Sequence, residues 1–335
     1  MTGSPVRRWV RPVGLLLLSL VCAWIIVGLV GQVDWGQVRD AISKISLWQV
    51  PVLLLVLCVR QVLNASPLAF FIEGLGLRHA VQNDQAAILT STIAPPPTDL
   101  VLRLSMFASW SIPVAAGVAG AAMNTVTFYV IRFSAPVIGL LLLAGSVVPY
   151  HPIYGWTAVL SGAVAVTLLC LLWAVLRREQ AAVWVGTTSG RLGARVRKSI
   201  DPEAWANAAV DFRTHVVRRS RRGLPASLVV LLAMVLVDGL LLALCLRCVG
   251  VPGSAVPTLA VVGVFLMAYP LTLFPLAGLG VLDATVLAAL VDTGGIELEP
   301  ELVAGLVVYR ATTLLTPMLF GLVSIAWWRR AGEEA

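Results

Sequence analysis

Residues 271–283 read Leu271-Thr-Leu-Phe-Pro-Leu-Ala-Gly-Leu-Gly-Val-Leu-Asp283. A proline, two glycines and a carboxylate interrupt a stretch that is otherwise apolar enough to enter a membrane. Proline removes a backbone donor and glycine frees the backbone, so the segment breaks a helix at bilayer depth. Freed N–H and C=O groups are tolerated there only when they are buried in protein or line a wet cavity. The segment therefore reads as a candidate site and not as a plain anchor.

The rest of the chain agrees. Hydrophobic residues make up 59% of 335 and charged residues 12%, with a mean hydropathy of +0.92, which excludes a soluble domain. The apolar runs lack the alternation of outer-membrane barrel strands. The fold class is all-α: a polytopic transmembrane helical bundle with two broken or re-entrant segments in a weak internal repeat. Residues 1–335 read as a single integral membrane domain.

The net charge of +7 comes from arginine, since Lys44 and Lys198 are the only lysines. Arg7, Arg8 and Arg11 precede the first span, Arg177 to Arg222 holds eleven basic against four acidic residues, and Arg329 and Arg330 follow the last span. The positive-inside rule puts all three groups, and with them both termini, on the cytoplasmic side of a multi-pass cell-membrane protein. Beside spans, such arginines serve topology and anionic-lipid contact, so nucleic acid is not an expected partner. The five cysteines sit in or at the ends of apolar runs and read as packing residues. Cys245 and Cys248 have redox-motif spacing without a redox context.

Residues 13–31 form a retained first span of about 28 Å. Trp35 to Gln49 is amphipathic and is expected along the outer surface. Val50 to Phe71 crosses, Glu73 to Asp84 reads as a polar turn, and 85–149 holds three crossings or half-helices interrupted at Pro95-Pro96-Pro97-Thr98-Asp99. Gly155 to Leu176 crosses inward. The polar segment 177–223 is expected to carry one surface helix near Pro202 to Val217. Leu224 to Leu246 crosses outward, Val256 to Leu290 enters and turns back at Pro275 to Gly280, and Leu302 to Trp328 crosses inward.

Two stretches repeat a sequence of events. In the first half-repeat, about 50–149, a proline break leads to Asp99 and then Arg132; in the second, about 224–328, Pro275 leads to Asp283 and then Arg310. Transporter folds are often built from such duplicated units, with the site between them.

Pro275-Leu-Ala-Gly278-Leu-Gly280-Val281-x-Asp283, followed by Tyr309-Arg310, Pro317 and Gly321, resembles the signature of the lysylphosphatidylglycerol synthase transmembrane-domain family of flippase-like proteins. Asn64 with Pro67, Pro97-x-Asp99-x-x-x-Arg103 and Arg132 resembles its first half. The resemblance implies a helical membrane domain that binds or moves a lipid. Two-part members carry a soluble aminoacyl-transferase domain after the membrane part. This chain ends at Ala335 without one, so lipid aminoacylation by it is not expected. The chain departs from the family pattern at Ala277-Gly278, Asp283 and Thr98-Asp99, where two glycines, a glutamate and Gly-Glu are usual.

Six charged residues fall within or beside spans: Asp99, Arg103, Arg132, Asp238, Asp283 and Arg310. Each costs on the order of 2.5–3.5 kcal/mol at a helix centre, which asks for a partner or a function. Arg132 and Arg310 offer planar forks matched to phosphate oxygens, and Asp99 and Asp283 would hold them, bind a cationic headgroup, carry a proton or cap a resumed helix. Gly278 and Gly280 would expose amides at a helix start, where the dipole favours an anion. Asn64 and Asn124 read as contacts between helices. With Tyr309, these residues make up the candidate substrate-binding set.

Neither a cofactor nor a metal is indicated, and an ATP-binding loop is not evident. The leading reading is a translocase or lipid-binding transporter for an anionic or phosphate-linked lipid, not an enzyme. The alternatives are an intramembrane transferase using Asp99 or Asp283 as base, with His79, His151 and His215 scattered in loops, or an accessory scaffold of an envelope-synthesis complex. Membrane lipids are the expected partners, with a homo-oligomer or an envelope-synthesis protein as further ones.

Overall fold

The structure is a computed structural model that describes residues 35–94, 98–146, 151–196 and 201–333. The expected span at 13–31 and the three prolines at 95–97 lie outside these residues. What is described is helical throughout its long elements, and six stretches are long and apolar enough to cross a membrane: Gln49–Phe71, Val114–Ala144, Ile153–Arg177, Ser220–Cys248, Leu276–Gly294 and Ile296–Ala331.

A short amphipathic helix, α1 (Trp35–Ser43), buries Val38 and Ala41. It is shorter than the sequence implied and packs against α11 (Glu299–Arg310). Helix α2 (Gln49–Phe71) follows the apolar run and carries Pro67 within it. The polar turn expected at Glu73 to Asp84 is only its beginning. From Leu77 the chain is helical again, as α3 (Leu77–Ile93), with Asn83, Asp84 and Gln85 buried. Helix α4 (Thr98–Ser109) follows, then the long α5 (Val114–Ala144). At 17 and 12 residues, α3 and α4 reach only about 25 and 18 Å, so they form a hairpin of half-helices beside one full span.

Helix α6 (Ile153–Arg177) leads to α7 (Glu179–Val196), which packs along α8 (Pro202–Cys248). The surface helix and the outward span expected as separate elements are one helix of 47 residues, about 70 Å long. Asp201 starts it by accepting the Glu203 N–H at 3.0 Å, with Pro202 in the first turn. Pro225 sits inside it without ending it.

The expected break of the helix at Pro275 to Gly280 is seen. Helix α9 (Thr258–Ala268) passes through a 3₁₀ turn at Tyr269–Leu273 into an irregular bend, and α10 (Val281–Gly294) resumes. Leu276, Ala277, Gly278 and Gly280 all have positive φ, at 51°, 55°, 76° and 84°. Gly280 adopts this conformation freely, whereas each of the two side-chain-bearing residues stores about 1–3 kcal/mol of strain. Helix α11 continues through a π turn at Ala311–Leu315 into α12 (Thr316–Glu333).

The packing is reciprocal. Helices α2 and α8 lie side by side at the centre, α5 packs on α9, and α12 packs on α3. Two glycines make the last two contacts possible. A Cβ on Gly139 would lie 2.7 Å from the Gly263 carbonyl oxygen, and one on Gly321 would lie 2.6 Å from the Gln85 carbonyl oxygen. The largest apolar cluster gathers around Phe265, whose ring meets Tyr269 and Tyr309 edge-on at 5.7 Å each.

Candidate functional site

Three well-buried ion pairs sit among the described helices. On α2, Arg60 donates to Asp238 of α8 at 3.0 Å, and Asp238 also accepts the Tyr309 hydroxyl of α11 at 3.0 Å. Arg60 donates at 2.6 Å to Gln61, whose amide donates at 2.9 Å to Gln85 on α3. A row of polar groups thus crosses the centre from α11 to α3.

A second pair ties the first hairpin together. Arg103 on α4 donates to Asp84 and to the Asn83 side chain, each at 3.0 Å, while Asn83 donates back to the Arg103 carbonyl at 3.2 Å. Asn64 on α2 donates to the other oxygen of Asp84 at 2.7 Å, the contact between helices expected of it. A mutual fork of this kind satisfies each buried group and fixes the two half-helices to each other.

The third pair lies at the bend. Arg310 donates through Nε to Asp283 Oδ1 at 2.7 Å and through Nη1 to the Ala277 carbonyl at 3.3 Å. Asp283 Oδ2 accepts the Gly280 N–H at 2.9 Å. The amides expected to face an anion are therefore engaged, since the Gly278 N–H donates to the Phe274 carbonyl. The Asp283 carboxylate takes the place an external anion would have at this helix start. Next to Arg310, the π turn leaves carbonyls partly free, and the Thr312 and Thr313 hydroxyls donate to the Val308 and Tyr309 carbonyls at 2.8 Å. Such turns recur at functional positions because they re-aim a side chain.

Two of the expected residues stand apart from the pairs. Asp99 lies in the first turn of α4 and does not meet Arg132, so the first half of the chain does not reproduce the Asp283–Arg310 pair. Among the described residues, Arg132 has no carboxylate within salt-bridge distance. Its guanidinium lies 4.6 Å from the Phe128 ring centre and 5.3 Å from that of Tyr129, and its buried Nε has no hydrogen-bond partner. Arg310 Nη2 is likewise buried without a partner. Tyr269, buried on the 3₁₀ turn, meets the Phe265 ring edge-on.

Sequence reasoning missed Arg60, Gln61, Asp84, Gln85 and Tyr269. Arg60 was visible as a charge in the middle of the second span, one residue before Gln61 and four before Asn64, a polar face on an apolar helix. Asp84 was hidden by its polar neighbours. Asn124, expected to bond between helices, has a buried Oδ1 without a hydrogen-bond partner. Cys245 and Cys248 are free and buried, as packing residues are. His79 stacks on Trp110 at 4.4 Å, a structural contact.

No curated protein matches the chain. A sequence model described as the lysylphosphatidylglycerol synthase TM region matches residues 13–321, and the chain belongs to that family of multi-pass membrane proteins.

Proposed function

We propose that the protein carries a lipid with an anionic or phosphate-linked headgroup across the cell membrane, with both termini and the α7–α8 hairpin on the cytoplasmic side. The family ties the chain to lipid-related processes in the membrane. The observation that carries the finer reading is the charge balance of the described bundle. Asp84, Asp238 and Asp283 are matched by Arg103, Arg60 and Arg310, which leaves Asp99 at the start of α4 and Arg132 within α5 outside the pairs. A half-buried cation whose Nε has no hydrogen-bond partner fits an incoming phosphate that has shed its water.

The two hairpins, with α5 packed on α9 and α12 on α3, support the view of two half-repeats that rock against each other around this centre. An intramembrane transferase using Asp283 as base is less well supported, because both oxygens of that carboxylate are occupied. The test is flipping in reconstituted vesicles. Wild-type protein should expose fluorescent-headgroup phosphatidylglycerol to a membrane-impermeant quencher faster than empty vesicles do, and Arg132→Gln should remove the gain while leaving the folded yield unchanged. Equal rates for wild type and empty vesicles would refute the proposal.

A further inference from the structure

Away from the ion pairs, a groove of about 800 Å³ opens between α5, α6 and the α7–α8 hairpin. That volume lies within the range of small-molecule sites. Small residues of α5 and α8 line it, among them Ala119, Ala122, Ala208 and Ala209, together with Leu172 and Phe212. Asp211 supplies the carboxylate in its wall, and Trp205, 45% exposed, stands on its edge.

The position of the groove along the helices matters. Ala115 opens the span of α5, Val175 closes that of α6, and Phe212 precedes the apolar part of α8, which begins at Ser220. The groove therefore lies level with the ends of the spans on the basic side of the protein. Arg177 and Arg178 end α6 at this level, both exposed, and Arg213 follows Phe212. Arg213 reaches Glu179 only at 3.9 Å, and its buried Nε has no hydrogen-bond partner. Arg177 lies over the Trp173 ring at 4.9 Å, and an apolar slot with Arg178 and Arg213 close in sequence to its lining complements an amphipathic anion, with the tail inside and the headgroup outside.

We propose that this groove holds one acyl chain of an anionic phospholipid from the leaflet on the basic side of the membrane, its headgroup resting against these arginines. The proposal rests on the lipid-carrier reading for its purpose and names where the lipid waits before it enters the centre. The smooth wall of alanines admits a chain that larger side chains would exclude.

The test uses the full chain in phosphatidylcholine vesicles containing phosphatidylglycerol with a photoreactive acyl terminus. After illumination, adducts should concentrate in residues 115–126, 168–175 and 205–212, in excess over the outward face of α6 around Trp156 and Leu160. Ala119→Phe with Ala208→Phe should lower the groove adducts and leave those on the outer face unchanged, and the milder Ala122→Met should act in the same direction if the double variant does not fold. Arg213→Gln should lower them about fivefold, the factor for one arginine at an anionic surface. Photoreactive phosphatidylcholine should label the groove less than the glycerol lipid does.

Groove labelling no greater than that of the outer face, or equal labelling by both headgroups, would overturn the proposal, as would a protein found crosslinked in the groove instead of lipid. The two readings fail separately. Normal flipping with an unlabelled groove overturns the groove alone, and a labelled groove in a wild-type protein that does not flip lipid overturns the carrier reading alone.

Discussion

Asp238→Asn has a cost that follows directly from geometry. The carboxylate takes Arg60 on one oxygen and the Tyr309 hydroxyl on the other, each at 3.0 Å, and its side chain is 3% exposed. An amide can keep its oxygen on Arg60 only by turning its NH2 to the Tyr309 hydroxyl, which must then accept instead of donate, and the counter-charge of Arg60 is lost. Losing a charge-assisted hydrogen bond removes about 1.5–3 kcal/mol. Leaving Arg60 buried without its counter-charge brings the total to about 3–5 kcal/mol, roughly a 10²–10⁴-fold shift in the folding equilibrium. Reversible unfolding in mixed micelles, with Arg60→Met and the double variant alongside, reads this directly. The double variant removes both charges and should recover at least about 2 kcal/mol of the summed single losses. A single Asp238→Asn loss below about 1 kcal/mol, or strict additivity, would refute the reasoning.

Gly139→Ala should destabilise by about 1–3 kcal/mol, because the added methyl would meet the Gly263 carbonyl on α9 at 2.7 Å. Gly145→Ala, where the nearest atom would be 3.6 Å away, is the control in the same thermal melt. Arg103→Lys keeps a charge near Asp84 but loses the fork to Asn83, so it should cost about 1–2 kcal/mol, against about 3–5 for Arg103→Met in the same denaturation assay. Arg132→Met should be neutral or stabilising in that assay, opposite in sign to Arg60→Met, and should abolish flipping.

Hydropathy made the spans legible, because in lipid every backbone group must be satisfied within its own segment and an apolar run of the right length can do little else. The bend at Pro275 to Gly280 was legible for the same reason, since proline and glycine act locally. What the sequence concealed was the choice of partners. Arg103 pairs with Asp84 rather than Asp99, and Asp238 pairs with Arg60, 178 positions away. Pairing of this kind depends on which helix faces meet, and hydropathy carries no information about that. The continuity of α8 through Pro225 was hidden as well. A drop in hydropathy between its polar and apolar halves looks like a boundary, although helices cross such a drop readily when α7 supports the polar half.

The opposite signs for Arg60 and Arg132 separate a structural role from a binding one. A buried arginine matched by a carboxylate lowers stability when it is removed, because the partner is left charged and dry. A half-buried arginine without a carboxylate has already met its desolvation cost without an equal return, so removing it relieves the fold. Such a residue persists when another function needs it, since selection retains destabilising groups only where activity uses them. Arg310 falls between the two cases. Its Nε is committed to Asp283 while its Nη2 remains open, so a ligand could bind it without first breaking the pair that closes the bend. Arg132→Met and Arg310→Met should therefore part company in stability while converging on loss of transport, an outcome that a purely structural account of either arginine does not produce.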